Sequence, residues 1–116
     1  MVRKAKIDYD KENDILYVYT GEKVKDSLEV DNFVLDFSYD NKIVGVEIFD
    51  ASKILSKLTL VKISKDALSK VTEASISFHP GRDLYYVVVG LALVIGKKRR
   101  EIPVQIPTPM AAVSIR

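Results

Sequence analysis

The sequence predicts an α+β fold: an antiparallel β-meander with a short helix, extended by a second helix and a further antiparallel β-hairpin with an edge strand. Three features of the chain point there. Short runs alternate apolar and polar residues, Asp/Asn pairs punctuate them, and only two stretches carry the helical period. The 116 residues, 47% hydrophobic and 29% charged, suit one domain of ordinary globular composition. Two tightly packed subdomains, divided near residue 56, are the alternative organisation.

In the first half, Ile7 and Tyr9 alternate with Lys6, Asp8 and Asp10, the period of a half-buried strand. Residues 10–14 (Asp-Lys-Glu-Asn-Asp) then form a turn, and 15–20 (Ile-Leu-Tyr-Val-Tyr-Thr) the returning strand. A polar stretch from Gly21 to Ser27 leads to a short run at 28–30 and a turn at Asp31-Asn32. Phe33, Leu35, Phe37 and Tyr39 fall on one face of the next strand, Asp40-Asn41 turns the chain, and residues 43–49 return. Asp50 is placed to cap a helix whose apolar stripe is Ala51, Ile54, Leu55 and Leu58.

In the second half, residues 60–63 read as a short strand or as the tail of that helix. Ser64 is a cap for a second helix through Asp66, Ala67, Leu68 and Val71. Residues 74–79 alternate as a strand, and Pro80-Gly81 suits the centre of a type II turn. Leu84 to Ile95 is apolar on both faces, which predicts a central strand. Gly96-Lys97-Lys98-Arg99-Arg100 turns the chain. Ile102, Val104 and Ile106 alternate with prolines in a final strand, which belongs at an edge because proline cannot donate to a ladder.

The run from Tyr9 to Val18 resembles the opening signature of the YuzE-like family of small domains of unknown function. The runs 34–37, Asp40, 44–48 and 50–52 resemble its close, so the resemblance covers about residues 7–55. It implies a β-meander plus helix and brings no activity with it.

Chemistry is bounded mainly by what is missing. The chain has no cysteine, so disulfides, thiolate zinc sites and cysteine nucleophiles are excluded. Its five glycines form neither a dinucleotide-binding nor a P-loop pattern. His79 is the single histidine and precedes a turn; Ser75, Ser77 and Asp83 lie near it in no catalytic order. Asp8, Asp10, Glu12 and Asp14 fail the EF-hand spacing, since the sixth position from Asp10 is Ile15 and the twelfth Gly21. No catalytic, cofactor-binding or metal-ligating set is therefore assigned, and an acid-dependent hydrolase or divalent-metal protein ranks last.

Residues 1–50 hold twelve acids against seven Lys and Arg, a net of −5; residues 51–116 hold four against eleven, a net of +7. Such a division suits an acidic surface meeting a basic one, within the fold or between subunits, although Asp is also simply at home in turns. Lys97, Lys98, Arg99 and Arg100, joined by Arg82, form a candidate nucleic-acid contact, weighed against the solvated tip of a hairpin. Tyr17, Tyr19 and Tyr39 form a candidate dimer surface, weighed against core packing. The longest apolar run is too short for a membrane helix and the basic N-terminus has no apolar core behind it, so a cytoplasmic protein is expected. The leading reading is a non-catalytic homodimer or protein-interaction module.

Overall fold

The computed structural model describes residues 2–80, 82 and 84–109. Eight strands and two helices follow in the order β1 (Val2–Asp10), β2 (Ile15–Tyr19), β3 (Val24–Val30), β4 (Phe33–Ser38), β5 (Ile43–Ile48), α1 (Ala51–Thr59), α2 (Lys65–Ser69), β6 (Ala74–Pro80), β7 (Leu84–Ile95) and β8 (Lys98–Pro109). The strands form one curled sheet, ordered β3-β4-β5-β2-β1-β6-β7-β8, with antiparallel pairs throughout. The first half departs from a simple meander. After the β1–β2 hairpin the chain crosses to the far edge, and β3-β4-β5 returns until β5 pairs with β2. That return lets Leu16 and Val18 of β2 share one buried face with Val46 and Ile48 of β5.

The predicted turns are present, and their residue types explain them. Asp14, Asp31 and Asn41 adopt positive φ of 55°, 52° and 59°, a region that Asp and Asn tolerate better than other side chains. Strand β3 starts at Val24, earlier than the apolar run at 28–30 suggests, because an exposed edge strand can be polar. Tyr39 is not on the Phe33 face: it lies in the β4–β5 turn with 63% of its surface exposed. A register irregularity between Asp36 and Phe37 breaks the alternation just before it.

The inner face of the sheet carries the core, and both helices contribute to it. Ala51 and Leu55 of α1, Ile63, and Leu68 of α2 join Leu35, Val46, Ile76, Val89 and Val104 in one buried cluster. Leu58, assigned to the same stripe, is exposed. Residues 60–63 are neither strand nor helix. Leu60 ends α1 in the left-handed conformation at φ 59°, and the Ser56 hydroxyl accepts from the Ile63 amide at 2.8 Å, drawing the connector back onto the helix. Ser64 caps α2 as expected, accepting from the Ala67 amide.

The second half joins the sheet where β6 pairs with β1. Strand β7 lies between β6 and β8, and β8 is an edge strand with Ile102, Val104 and Ile106 buried and Pro103 and Pro107 exposed. The expected Pro80-Gly81 turn includes Gly81, which lies outside the described residues. Among the described residues no helix is long and apolar enough to cross a membrane.

Candidate functional site

Two carboxylates, Asp14 and Asp36, are buried in the first half of the chain, at 5% and 9% exposure. Asp14 ends the β1–β2 turn and reaches the start of α1, 38 residues onward. Its Oδ1 accepts from the Tyr9 hydroxyl at 2.7 Å and the Ser52 amide at 3.0 Å, and its Oδ2 from the Ser52 hydroxyl at 2.6 Å. Its carbonyl oxygen accepts from the Ala51 amide at 2.9 Å. Asp14 is therefore the cap of α1. Asp50 precedes the helix at φ 51° without any side-chain capping bond, which corrects the role expected for it. The physical reason is geometric: an N-cap carboxylate needs an extended backbone to turn back on the first amides, and the left-handed Asp50 lacks one.

Burial pushes the Asp14 carboxyl up, but the Ser52 hydroxyl, the Tyr9 hydroxyl, the Ser52 amide and the charge of Lys65 together hold it below the usual carboxylate value. The same contact works oppositely on Tyr9, whose phenol is pushed well above its usual value by burial and then by Asp14. In the turn itself the Asn13 side chain, then its amide, hold Asp10 below the usual value. Charge-assisted bonds of this kind stabilise the ionised acid, and those of Asp14 tie down a helix end.

Asp36 sits on the outer face of β4. Tyr17 of β2 donates to its Oδ2 at 2.6 Å and Ser27 of β3 donates to its Oδ1 at 2.7 Å, so one carboxylate links three strands. Gly45 of β5, opposite both Asp36 and Tyr19, makes room for that bridge. A methyl group there would stand 2.6 Å from the Asp36 carboxylate and 2.9 Å from the Tyr17 hydroxyl. Burial, then the hydrogen bond and charge of Asp36, then Glu47, push the Tyr17 phenol well above its usual value. Its ring stacks on Tyr19 with centroids 4.7 Å apart. Sequence reasoning missed this cluster. Its one signal is Gly45, an isolated glycine inside an apolar strand, which often marks a close approach.

The remaining sequence-derived candidates are dispersed. Tyr17 and Tyr19 come together, while Tyr39 lies apart in its turn. Of the basic run, only Lys97 lies in the β7–β8 turn; Lys98, Arg99 and Arg100 lie along β8 and alternate between its faces. Arg99 pairs with Glu73 at 2.6 Å. Arg82 is in the β6–β7 turn, at the opposite end of the twelve-residue β7, so roughly 35 Å separates it from Lys97 along the strand. His79 is exposed near the end of β6, and its Nε2 lies 2.9 Å from the Ser77 hydroxyl. Asp83, the acid nearest to it in sequence, lies outside the described residues. Among the described residues no group of three His, Asp or Glu could hold a metal ion. A shallow groove crosses the outer face of β6, β7 and β8 between Ser75, Gly90, Ala92 and Pro103.

The two sheet edges differ in chemistry. On β8, proline has no amide hydrogen, so the Pro103, Pro107 and Pro109 positions must be those whose nitrogen faces away from β7. The free edge of β8 thereby loses the donors at 103, 107 and 109 and keeps those at 99, 101 and 105. Strand β3, at the opposite edge, has no proline, and a bulge between Val24 and Asp26 leaves Lys25 without a partner on β4.

Residues 6–52, which contain both carboxylate clusters, match the model of a family described as "Protein of unknown function (DUF2283)". The chain is similar to the uncharacterized protein MJ0789 of Methanocaldococcus jannaschii, 42% identical over 81 residues, spanning 66% of this chain and 70% of the relative. It is also similar to a putative hypoxanthine phosphoribosyltransferase of Methanosarcina mazei, 42% identical over 49 residues, spanning 41% of this chain and 40% of that protein. No solved structure matches the chain.

Proposed function

The chain belongs to this family of proteins of unknown function, and from that premise we propose that it is a non-catalytic, self-associating protein-interaction module of the cytoplasm. Residues 7–55 are its YuzE-like unit, and residues 56–116 extend that unit's sheet within a single domain. The observation that carries the reading is the asymmetry of the sheet edges. Prolines take away half of the outward donors of β8, whereas β3 presents a strand without proline, the kind of edge that accepts a further strand. The buried acids support it from the other side. Asp14 and Asp36 are both engaged by hydrogen bonds that hold the fold, so neither is poised as a general base.

The phosphoribosyltransferase name of one relative is not carried over. The match covers 40% of that protein, and the glycines here make no phosphate-cradling loop. Nucleic-acid binding through residues 97–100 has less support than self-association, because one of the four cations is already paired with Glu73 and Arg82 stands at the other end of β7. Sedimentation velocity from about 1 to 300 μM, at low and high salt, tests the reading. A concentration-dependent dimer is expected, and a monomer across the whole range overturns it.

A further inference from the structure

We propose that a second copy of this chain pairs antiparallel with β3, centred on Ser27 facing its symmetry mate, so that two eight-stranded sheets join into one. This rests on the self-association proposed above and specifies its surface. The two-residue Asp31-Asn32 turn makes Val30 and Phe33 the closing hydrogen-bonded pair of the β3–β4 hairpin. Alternation then directs the backbone groups of Leu28 toward β4, and those of Ser27 and Glu29 toward the open edge. A two-fold axis at Ser27 therefore places outward donors and acceptors opposite each other.

Side-chain chemistry selects the same register. With Ser27 opposite Ser27, Lys25 faces Glu29 twice across the axis, and the exposed Val24 beyond the bulge lies next to that pair. Lys25 and Glu29 are exposed in the free chain, and Val24 is an exposed apolar residue at 41% that such pairing would cover. Moving the axis to Asp26 sets that acid against its own copy. Moving it to Leu28 sets Ser27 against Glu29 and leaves Lys25 facing Asp31, which is in the turn. A lysine and a bulge on an edge ordinarily deter pairing. Here the lysine meets an acid within the strand itself in this register alone, so the same residues deter other strands and admit this one. The hydroxyl of Ser27 is held by Asp36 and its backbone is presented outward, which makes the Asp36 bridge a support for the edge.

Charge reversal tests the register directly by sedimentation velocity, with thermal melts confirming that each variant is folded. Lys25→Glu and Glu29→Lys should each raise the dimer dissociation constant at least tenfold, because each sets like charges at both symmetric positions. An equimolar mixture of the two variants should restore association as a heterodimer, and the double swap K25E/E29K should restore the homodimer. A wild-type protein that stays monomeric throughout overturns the register and the self-association reading together. A wild-type dimer that neither single reversal weakens, or reversals that the mixture fails to rescue, overturn the β3 register while leaving self-association through another surface.

Discussion

Replacing Asp14 with Asn removes one charge and one acceptor while keeping the shape of the side chain. Asn tolerates the φ of 55° at this position, so backbone strain does not enter. Three donors converge on the carboxylate: the Tyr9 hydroxyl at 2.7 Å, the Ser52 amide at 3.0 Å and the Ser52 hydroxyl at 2.6 Å. An amide offers one oxygen to them, so the Ser52 hydroxyl must reverse and accept from its NH2, and every bond that remains loses the charge on the acceptor. Losing a hydrogen bond to a buried charged acceptor costs about 1.5–3 kcal/mol, so Asp14→Asn should cost about 2–3 kcal/mol. At roughly 4 °C per kcal/mol for a chain of this length, Tm should fall by about 8–12 °C. Urea unfolding at 25 °C, compared from pH 7 down to pH 3, measures it. The Asp14 carboxyl is held below its usual value in the folded protein, so an unfolded chain takes up the proton first as pH falls. The wild-type advantage over Asp14→Asn should therefore be full above about pH 5 and should shrink as pH drops below about 4 toward the folded value. A cost under about 0.5 kcal/mol at pH 7, or a cost unchanged at pH 3, would refute Asp14 as the charged cap of α1.

Asp50 provides the matching control: Asp50→Gly should leave stability within about 0.5 kcal/mol or raise it, since Asp50 makes no cap bond and sits at φ 51°. Leu60→Gly should stabilise by about 1 kcal/mol in the same urea assay, because Leu60 is 92% exposed and left-handed at φ 59°. Gly45→Ala should cost about 2–3 kcal/mol by denaturation, since the new methyl cannot fit without displacing the Asp36–Tyr17 hydrogen bond. Spectrophotometric titration should leave at least two tyrosines un-ionised at pH 11, and Tyr17→Phe should remove one of them. Replacing Pro103 and Pro107 together with Thr restores two outward amides on β8 and should produce concentration-dependent association beyond a dimer, read by light scattering.

Local rules made much of this chain legible before its fold. The hairpin turns were readable because Asp and Asn at 14, 31 and 41 tolerate positive φ. The edge position of β8 was readable because proline has no donor, and the place of the Leu84–Ile95 strand between two others because the run is apolar on both faces, although Tyr86 and Val94 on it are exposed. The cap of α1 was not readable. Asp50 satisfies the local rule, but the residue that does the capping is 38 positions upstream, and a rule based on adjacent positions cannot weigh it.

By itself the sequence determined the strands, the two helices, most of the turns and the absence of any thiol or phosphate-loop chemistry, because those depend on φ preferences, periodicity and residue type within a few positions. Tertiary structure decided how the pieces are shared. It sent β3 to an edge and β5 back against β2, brought Asp14 to Ser52 and Asp36 to Tyr17 and Ser27, and set Arg82 far from Lys97. Each of those outcomes depends on which strand lies beside which, a choice made by collective burial of the inner face. One residue's local preference carries no information about it.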